Sequence, residues 1–332
     1  MEIRKVQITG GSSYIISLPK EWIEKRHIEK GDSLGLVPQQ DGSLLITDRL
    51  GVEEEHATKE INLDDIKNAR HLFRVLLACY IMGYSRIIIR STEDIETSFH
   101  NCVIEFTQGV IGPEIIEETS QHIIIKDLLN PAEMPMDKTA RRMLVLVQNM
   151  MRNTLESIEN GDLATAETVI GKDAYINRLH WLVSRQLNMM MRDLGIARKM
   201  NVTQQEAIFY YMITRFIERI GDHMVMVARN SMVLIEAGVH DELQPAINTA
   251  MGYAMGLVEK SIEAWFKKDL KLAQEILDSF YELVGVCEEI SSIKLDCKDV
   301  DPSVAQGYIA ESIRRMGAYA SDISELVIDY IV

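Results

Sequence analysis

Hydrophobic positions recur with helical spacing over the second half of the chain, from residue 137 to the end. Apolar residues three and four apart mark one face of a helix, whereas strict alternation marks a strand. Few residues break this pattern, and the breaks fall at Gly161-Asp162, Gly238 and Asp301-Pro302. Long helices joined by short turns are typical of antiparallel bundles. The predicted helices cover residues 137–159, 162–199, 203–236, 243–268, 269–294 and 303–331.

The first 50 residues instead show short apolar runs separated by turn residues. Pro19 suits the first turn of a helix, and Asp41-Gly42 is a strong hairpin signal. Four strands and one short helix make a marginal core, so we expect a dimer. The predicted elements are strands at 3–8, 14–18, 33–37 and 44–47 and a helix at 20–27.

Residues 51–136 alternate between the two patterns and predict a small α/β module without a recognisable motif. Its helices are expected from Asp64 or Asp65 to Met82 and over 95–108, where apolar spacing is helical. The expected strands cover residues 58–62, 86–90, 114–118 and 122–126. The fold class predicted for the whole chain is therefore mainly α, with four parts at residues 1–50, 51–136, 137–238 and 239–332.

The helical region repeats itself. The segment from Glu156 to Ala166 matches the one from Glu263 to Ala273, and residues 218–222 align loosely with 314–318. Two copies of a three-helix unit explain both matches.

Composition narrows the classes of function. The net charge is −15, which excludes a general nucleic-acid binder, although residues 1–50 carry seven basic and seven acidic side chains and are neutral. The chain has no stretch of 18 apolar residues and no signal-peptide pattern, so we expect a cytoplasmic protein without membrane insertion. Its four cysteines form no C-x-x-C pair, which favours buried free thiols over disulfides or a zinc ribbon.

Two pairs of oxygen-bearing side chains attract attention in the first repeat. Glu218 and Asp222 lie four residues apart on one predicted helix, and Asp173 and Asn177 lie four apart on another. Four oxygen donors suit a divalent or ferric ion such as Fe, Mn, Mg or Zn, hard ions more than soft ones. The alternative is a solvated or ion-paired surface involving Arg215. His223 points away from the Asp222 side of the helix, which favours packing over ligation.

The segment Glu218-Arg219-Ile220-Gly221-Asp222-His223 resembles the E-R-I-G-D-H signature of the PhoU family, the helical regulators of phosphate uptake. The resemblance implies two tandem three-helix bundles. It also implies a metal site at Glu218, Asp222, Asp173 and Asn177. In the second repeat the equivalent positions are Arg314, Ala318, Phe280 and Val284, so that copy is expected to be degenerate and without ligands.

The N-terminal segment resembles the AbrB/SpoVT family of DNA-binding domains. The resemblance rests on Arg4-Lys5-Val6, on residues 11–21 and on Ile28-Glu29-Lys30-Gly31-Asp32-Ser33-Leu34. It implies a swapped-hairpin β-barrel formed by two chains, hence a homodimer. Where the family often has Arg-Arg, this chain has Ile23-Glu24. The candidate DNA-binding residues are Arg4, Lys5, Lys20, Lys25 and Arg26.

Together the two resemblances imply a phosphate-responsive transcriptional or signalling regulator that binds promoter DNA. An accessory protein that controls a phosphate transporter or a histidine kinase without binding DNA is the first alternative. A metal-dependent bundle enzyme is the second, but the chain has no Glu-x-x-His pairs in its bundle, no P-loop and no H-E-x-x-H motif. We therefore do not expect an enzyme.

Overall fold

The computed structural model describes residues 2–38, 42–48, 57–295 and 301–332. The chain divides into two compact units, Met1–His56 and Ala57–Val332. The finer division predicted within the second unit stays an interpretation of the sequence. None of the described helices is both long and apolar enough to cross a membrane.

The first unit consists of two antiparallel hairpins and one short helix. β1 (Gln7–Thr9) pairs with β2 (Ser13–Ile15), and β3 (Gly35–Pro38) pairs with β4 (Leu44–Thr47). Between the hairpins lies α1 (Lys20–Lys25). The predicted elements are thus present, while Gln40 and Asp41 of the predicted turn lie outside the described residues. The swapped barrel, which takes two chains, stays a prediction.

The second unit begins with a four-stranded sheet covered by two helices. The strands are β5 (Thr58–Asn62), β6 (Arg86–Arg90), β7 (Pro113–Glu118) and β8 (His122–Asp127). Their order is β5-β6-β8-β7, with β5 and β6 parallel and the other neighbours antiparallel. The helices are α2 (Ala69–Ile81) and α3 (Thr97–Gly109). Their buried side chains form a core with the isoleucines of β6 and β8.

The predicted start of α2 is wrong by several residues. Residues Leu63–Asp65 form a 3-10 turn, and the helix begins after Asn68, whose side chain accepts a hydrogen bond from the backbone N–H of His71. Asp64 cannot cap α2 because it accepts hydrogen bonds from Ser91 and Thr92 instead. Asparagine is a preferred N-cap residue, whereas the contacts that occupy Asp64 come from residues distant in the sequence and depend on tertiary structure.

Seven helices follow among the described residues of the second unit. They are α4 (Met136–Asn160), α5 (Leu163–Arg192), α6 (Leu194–Met200), α7 (Gln204–Glu236), α8 (His240–Lys267), α9 (Leu270–Ser292) and α10 (Asp301–Ile331). The long helices α4, α5, α7, α8, α9 and α10 share one hydrophobic core. The predicted α-helical bundle is therefore present, with six long helices.

One predicted helix is divided in two. The sequence pattern favours a continuous helix over 162–199, but α5 ends at Arg192 and α6 begins at Leu194. Asp193 separates them, because its carboxylate accepts a hydrogen bond from the backbone N–H of Gly195 at 2.7 Å. Short polar side chains compete in this way for backbone groups and so interrupt helices.

The turn between the first and second helices has the same conformation in both repeats. Gly161 and Lys268 both adopt left-handed backbone conformations, with φ of 62° and 54°. The next residues, Asp162 and Asp269, cap α5 and α9 through their side chains. These positions correspond to each other in the sequence repeat.

Gly221 of α7 and Gly317 of α10 provide a second match between the repeats. A Cβ at Gly221 would lie 2.9 Å from Cδ1 of Ile176 on α5, and one at Gly317 would lie 2.1 Å from Cδ2 of Leu283 on α9. Glycine therefore lets the third helix of each repeat pack closely on the second, and it positions the candidate site.

Candidate functional site

The predicted carboxylate face is assembled from α5 and α7. Asp173 and Asn177 lie on α5, and Glu218 and Asp222 lie on α7, on either side of the contact between Gly221 and Ile176. A Cβ built at Gly221 would be only 3.6 Å from Oδ1 of Asp173. The two helices thus bring together acidic residues that are 45 or more positions apart in the sequence.

Glu218 is the most constrained of these side chains, being only 8% exposed. Its Oε1 accepts a hydrogen bond from Arg215 at 2.9 Å, while its Oε2 is buried without a partner. Burial, followed by the nearby charge of Asp222, raises the pKa of Glu218 to about 7 in spite of Arg215. A cation close to this carboxyl group would favour its ionised form and so lower its pKa again.

Asp173 is in a similar position on the facing helix. The amide of Asn177 donates a hydrogen bond to its Oδ2 at 2.8 Å, and its Oδ1 is buried without a partner. Burial and the charge of Asp222 raise the pKa of Asp173, and the hydrogen bond from Asn177 opposes this rise. Each helix therefore contributes one buried carboxylate oxygen that lacks a hydrogen-bond donor.

The donor set fits a hard cation in its chemistry. Carboxylate and amide oxygens are the ligands that Mg²⁺, Mn²⁺ and Ca²⁺ prefer, and a cation would relieve the repulsion among Glu218, Asp222 and Asp173. Within the described ranges, however, no three His, Cys, Asp or Glu side chains already converge as a ligand set. The metal site thus remains a prediction after the structure.

His223 lies on a different side of α7. Its ring is 5.8 Å from that of Tyr319 on α10, and its Nδ1 is buried without a partner. Burial and then the charge of Arg315 lower the pKa of His223. This position agrees with the expectation that His223 packs between helices.

The second repeat has a reversed charge arrangement at the equivalent place. In α7 the residue order is Arg215 then Glu218, whereas in α10 Glu311 accepts two hydrogen bonds from Arg314, each 2.7 Å long. Phe280 lies 3.4 Å from the position a Cβ would take at Gly317, where Asp173 stands in the first repeat. In the second copy, the ion pair between Arg314 and Glu311 and the ring of Phe280 take the place of carboxylates that each have an oxygen without a donor in the described structure.

All five candidate DNA-binding residues are exposed on the first unit. Three of them are close to acidic side chains: Arg4 pairs with Glu2, Lys20 lies 3.4 Å from Glu24, and Arg26 lies 2.8 Å from Asp48. Lys5 and Lys25 take part in no ion pair with any residue of the described segments.

Comparison with known proteins shows what the first repeat is similar to. Residues 140–231 match the family model described as the PhoU domain. This part of the bundle is therefore similar to a PhoU domain. The matched residues cover α5, α6 and most of α4 and α7, and so include all four candidate metal ligands.

Relatives of the PhoU domain extend the match beyond the first repeat. A "Phosphate-specific transport system accessory protein PhoU homolog" of Xylella fastidiosa is 24% identical over 198 residues, which are 56% of this chain and 78% of that protein. A protein of the same description from Thermotoga maritima, "PhoU homolog 1", is 23% identical over 195 residues, covering 56% of this chain and 82% of that protein.

A solved structure supports the fold. The crystal structure of PhoU from Pseudomonas aeruginosa aligns with a TM-score of 0.50 at 19% identity and covers 58% of this chain and 93% of that one. The first unit has a separate match: residues 7–49 fit the model "Antidote-toxin recognition MazE, bacterial antitoxin". Both sequence resemblances, to PhoU and to the AbrB-like group, are therefore confirmed.

Sequence reasoning missed a buried ion pair that joins the α/β module to the bundle. Nη2 of Arg185 on α5 lies 2.6 Å from Oδ2 of Asp127 at the end of β8, and the two side chains are 2% and 6% exposed. Nη1 of Arg185 also donates to the backbone oxygens of Tyr80 and Tyr84. The hydrophobic periodicity of the sequence does not predict this pair. The one available signal was that Arg185 interrupts a mostly apolar stretch of α5.

Proposed function

We propose that this protein is a phosphate-responsive regulator that acts on transcription, with the PhoU domain as its sensor and the N-terminal unit as its DNA-binding part. The observation that carries the proposal is the presence on one chain of a PhoU domain and a MazE-type segment. The named relatives support a link to phosphate transport. The AbrB-like segment supports DNA binding.

The basic side chains of the first unit support a contact with phosphates. Lys5 and Lys25 are exposed and have no acidic partner among the described residues, so they are available without breaking an ion pair. The pairs of Arg4, Lys20 and Arg26 are exposed, and such pairs contribute only about 0–1 kcal/mol, so DNA phosphates can replace their partners at small cost.

Dimer formation is supported by the apolar side chains that the first unit leaves in water. Val6 is 62% exposed, Ile8 65%, Tyr14 76% and Leu36 63%. So many large apolar groups on a segment of this size are typical of an interaction surface. A second copy of the same unit would cover them, as the AbrB-like resemblance implies.

The PhoU domain is proposed to bind a divalent or ferric ion through Glu218, Asp222, Asp173 and Asn177. The ion would neutralise Glu218 and Asp173, each of which has one buried oxygen without a donor among the described residues, and it would draw α5 and α7 together by electrostatic attraction. A metal can shift the protein between two arrangements only by binding one of them better.

An accessory role without DNA is the second candidate. The relatives' names describe an accessory protein of a phosphate-specific transport system, and this favours a phosphate transporter as partner. A histidine kinase stays an alternative partner that rests only on the PhoU resemblance. In this case the first unit would serve only to hold two chains together.

The experiment that separates the two is binding of the full-length protein to labelled promoter DNA over a series of salt concentrations. Regulation through DNA predicts that the logarithm of the DNA-binding constant falls linearly with the logarithm of the salt concentration. Lys5→Ala and Lys25→Ala should each lower that slope by about 0.9. Lys271→Ala is the control, because Lys271 is also exposed but lies on α9, where its ammonium group is 3.9 Å from Glu275. Salt-independent or absent binding would favour the accessory role.

A further inference from the structure

A cavity of about 870 Å³ lies between the α/β module and the bundle, within the second unit. This volume falls in the range of about 300–1,000 Å³ that small-molecule sites occupy. Its aromatic side chains are Phe73 on α2 and Tyr175 and Trp181 on α5. Gly109 and Gly171 border it, and a Cβ at either position would meet nothing within 4 Å. The cavity therefore has aromatic side chains in its lining and open space beside both glycines.

Polar groups line the cavity on two sides. Asn101, Glu105 and Gln108 follow one face of α3 at a helical spacing. On the α5 side, Arg178 donates from Nη2 to the backbone oxygen of Val110 at 3.0 Å, but its Nε is buried without a partner. Buried donors normally have acceptors, so this one indicates a missing polar group.

A second cavity, of about 380 Å³, adjoins the first and shares Phe73, Asn101 and Glu105 with it. It is lined by Arg70 and Arg74, which lie four residues apart on α2 and are exposed. Neither forms an ion pair with any residue in the described parts of the chain. Two guanidinium groups on the same face of a helix are suited to bind an anion.

From this geometry we propose that the two cavities together form a nucleotide-binding site. The base would stack on the aromatic side chains, as nucleobases do on Tyr, Trp and Phe. Asn101 and Gln108 would hydrogen-bond its edge, since amides donate and accept. The phosphates would lie at Arg70 and Arg74, in the bidentate geometry that arginine favours.

A nucleotide fits best because the aromatic side chains lie in the larger cavity and the two arginines lie in the smaller one. An inorganic anion would use the arginines and leave the aromatic wall empty, and an uncharged aromatic molecule would leave the arginines unpaired. Glu105, which both cavities share, is suited to accept hydrogen bonds from sugar hydroxyls between base and phosphates. Asp173 and Asn177 also line the larger cavity, so a bound nucleotide would lie beside the carboxylate face.

The test is titration calorimetry of the full-length protein with ATP, ADP, AMP, GTP, adenosine and inorganic phosphate, each measured separately in Mg²⁺ buffer. We expect at least one nucleotide to bind once per chain, and adenosine and phosphate to bind at least about tenfold more weakly, since each makes only part of the contacts.

Two variants and their controls test the position of the site. Gly171→Leu fills open space in the cavity, and the matched control is Gly252→Leu, another helical glycine beside open space but on α8. Tyr175→Ala removes an exposed ring, and Tyr281→Ala removes another that is remote from the cavity. Gly171→Leu and Tyr175→Ala should weaken nucleotide binding at least about tenfold, and the controls should not.

Three outcomes would overturn the proposal. The first is no saturable binding of any of the four nucleotides. The second is binding that Gly171→Leu and Tyr175→Ala leave unchanged, which would place the nucleotide elsewhere. The third is phosphate binding as tight as nucleotide binding, which would reduce the site to an anion site at the arginines. None of these results bears on whether the first unit binds DNA.

Discussion

At the scale of single residues, Glu218 destabilises the fold when it is ionised, and it is also a proposed metal ligand. A carboxyl group that is buried beside other acids destabilises the fold when it is ionised, and it becomes useful when a cation compensates for that cost. Arg215 offsets only part of the cost of burying this charge, because it donates a hydrogen bond to Oε1 of Glu218, while Oε2 has no donor among the described residues.

The pKa of Glu218 predicts how stability depends on pH. Its folded-state pKa of about 7 is above the ordinary value of 4.5, so between these values the folded state binds more protons than the unfolded state. The free energy of unfolding should therefore fall as pH rises from about 4.5 to about 7, by about 2–3 kcal/mol from this group alone. Chemical unfolding of the metal-free protein at pH 5 and pH 7.5 measures the difference.

Glu218→Gln supplies the comparison for that experiment. Glutamine does not titrate, so the variant should lose most of this pH dependence and equal or exceed the wild type in stability at pH 7.5. Asp173 titrates with a shift in the same direction, which leaves a smaller residual dependence. If the free energy of unfolding depends on pH in the same way in variant and wild type, the pKa of Glu218 is not raised by folding.

The interhelical glycines give a second prediction at this scale. Gly317→Ala should destabilise the protein by about 1–3 kcal/mol, because the new methyl group would overlap Leu283, which is fully buried and has little room to move. Gly221→Ala should cost less, since its closest contact, with Ile176, is longer. Gly252→Ala meets nothing and should stabilise by up to about 1 kcal/mol. If all three variants unfold alike, the close approach of the helices is wrong.

At the scale of elements, α5 connects the features that matter. It carries Asp173 and Asn177 of the carboxylate face, one wall of the cavity, and Arg185 of the buried pair with Asp127. Any movement of this helix would affect all three.

Removing one partner of the buried pair is expected to be costly. Arg185→Met leaves Asp127 buried without its cation and should destabilise the protein by about 3–5 kcal/mol, measured by urea unfolding. Arg185→Met/Asp127→Asn should recover much of that loss, because no uncompensated charge remains. A double variant as unstable as the single one would mean that Arg185 acts mainly through the backbone oxygens of Tyr80 and Tyr84.

The elements themselves were largely predictable. Five of the six long helices were expected within three residues of their observed ends, because their apolar periodicity is strong and the turns contain Gly or Asp caps. The one exception has a local cause, because Asp193 caps α6 and divides a helix that periodicity continues. The metal candidates were found from spacing and resemblance, whereas the cavity depends on contacts between distant segments that no periodicity contains.

At the scale of the whole molecule, charge and exposed apolar surface are distributed unevenly. The acidic excess lies outside residues 1–50, and the first unit has both the exposed basic side chains and a concentration of exposed apolar ones. This distribution favours self-association and DNA contact through the same unit.

Self-association can be tested by one charged substitution. Ile8→Asp introduces a charge on an exposed strand residue, and it should convert a dimer into a monomer in analytical ultracentrifugation, because an unpaired charge resists burial. Tyr281→Asp, at a residue that is also exposed but lies on α9, should leave the dimer unchanged. A wild-type protein that sediments as a monomer would contradict the dimer, whatever the variants do.

The proposed function requires the PhoU-like bundle to control DNA binding by the first unit. The most direct test is the promoter-DNA affinity of the full-length protein in Mn²⁺ and in chelator, measured by fluorescence anisotropy, for wild type and Glu218→Gln/Asp222→Asn. The account predicts that Mn²⁺ changes the wild-type affinity by about fivefold or more, which is the usual size of allosteric coupling, and that the variant does not respond. Equal DNA affinity with and without Mn²⁺ in the wild type would contradict it.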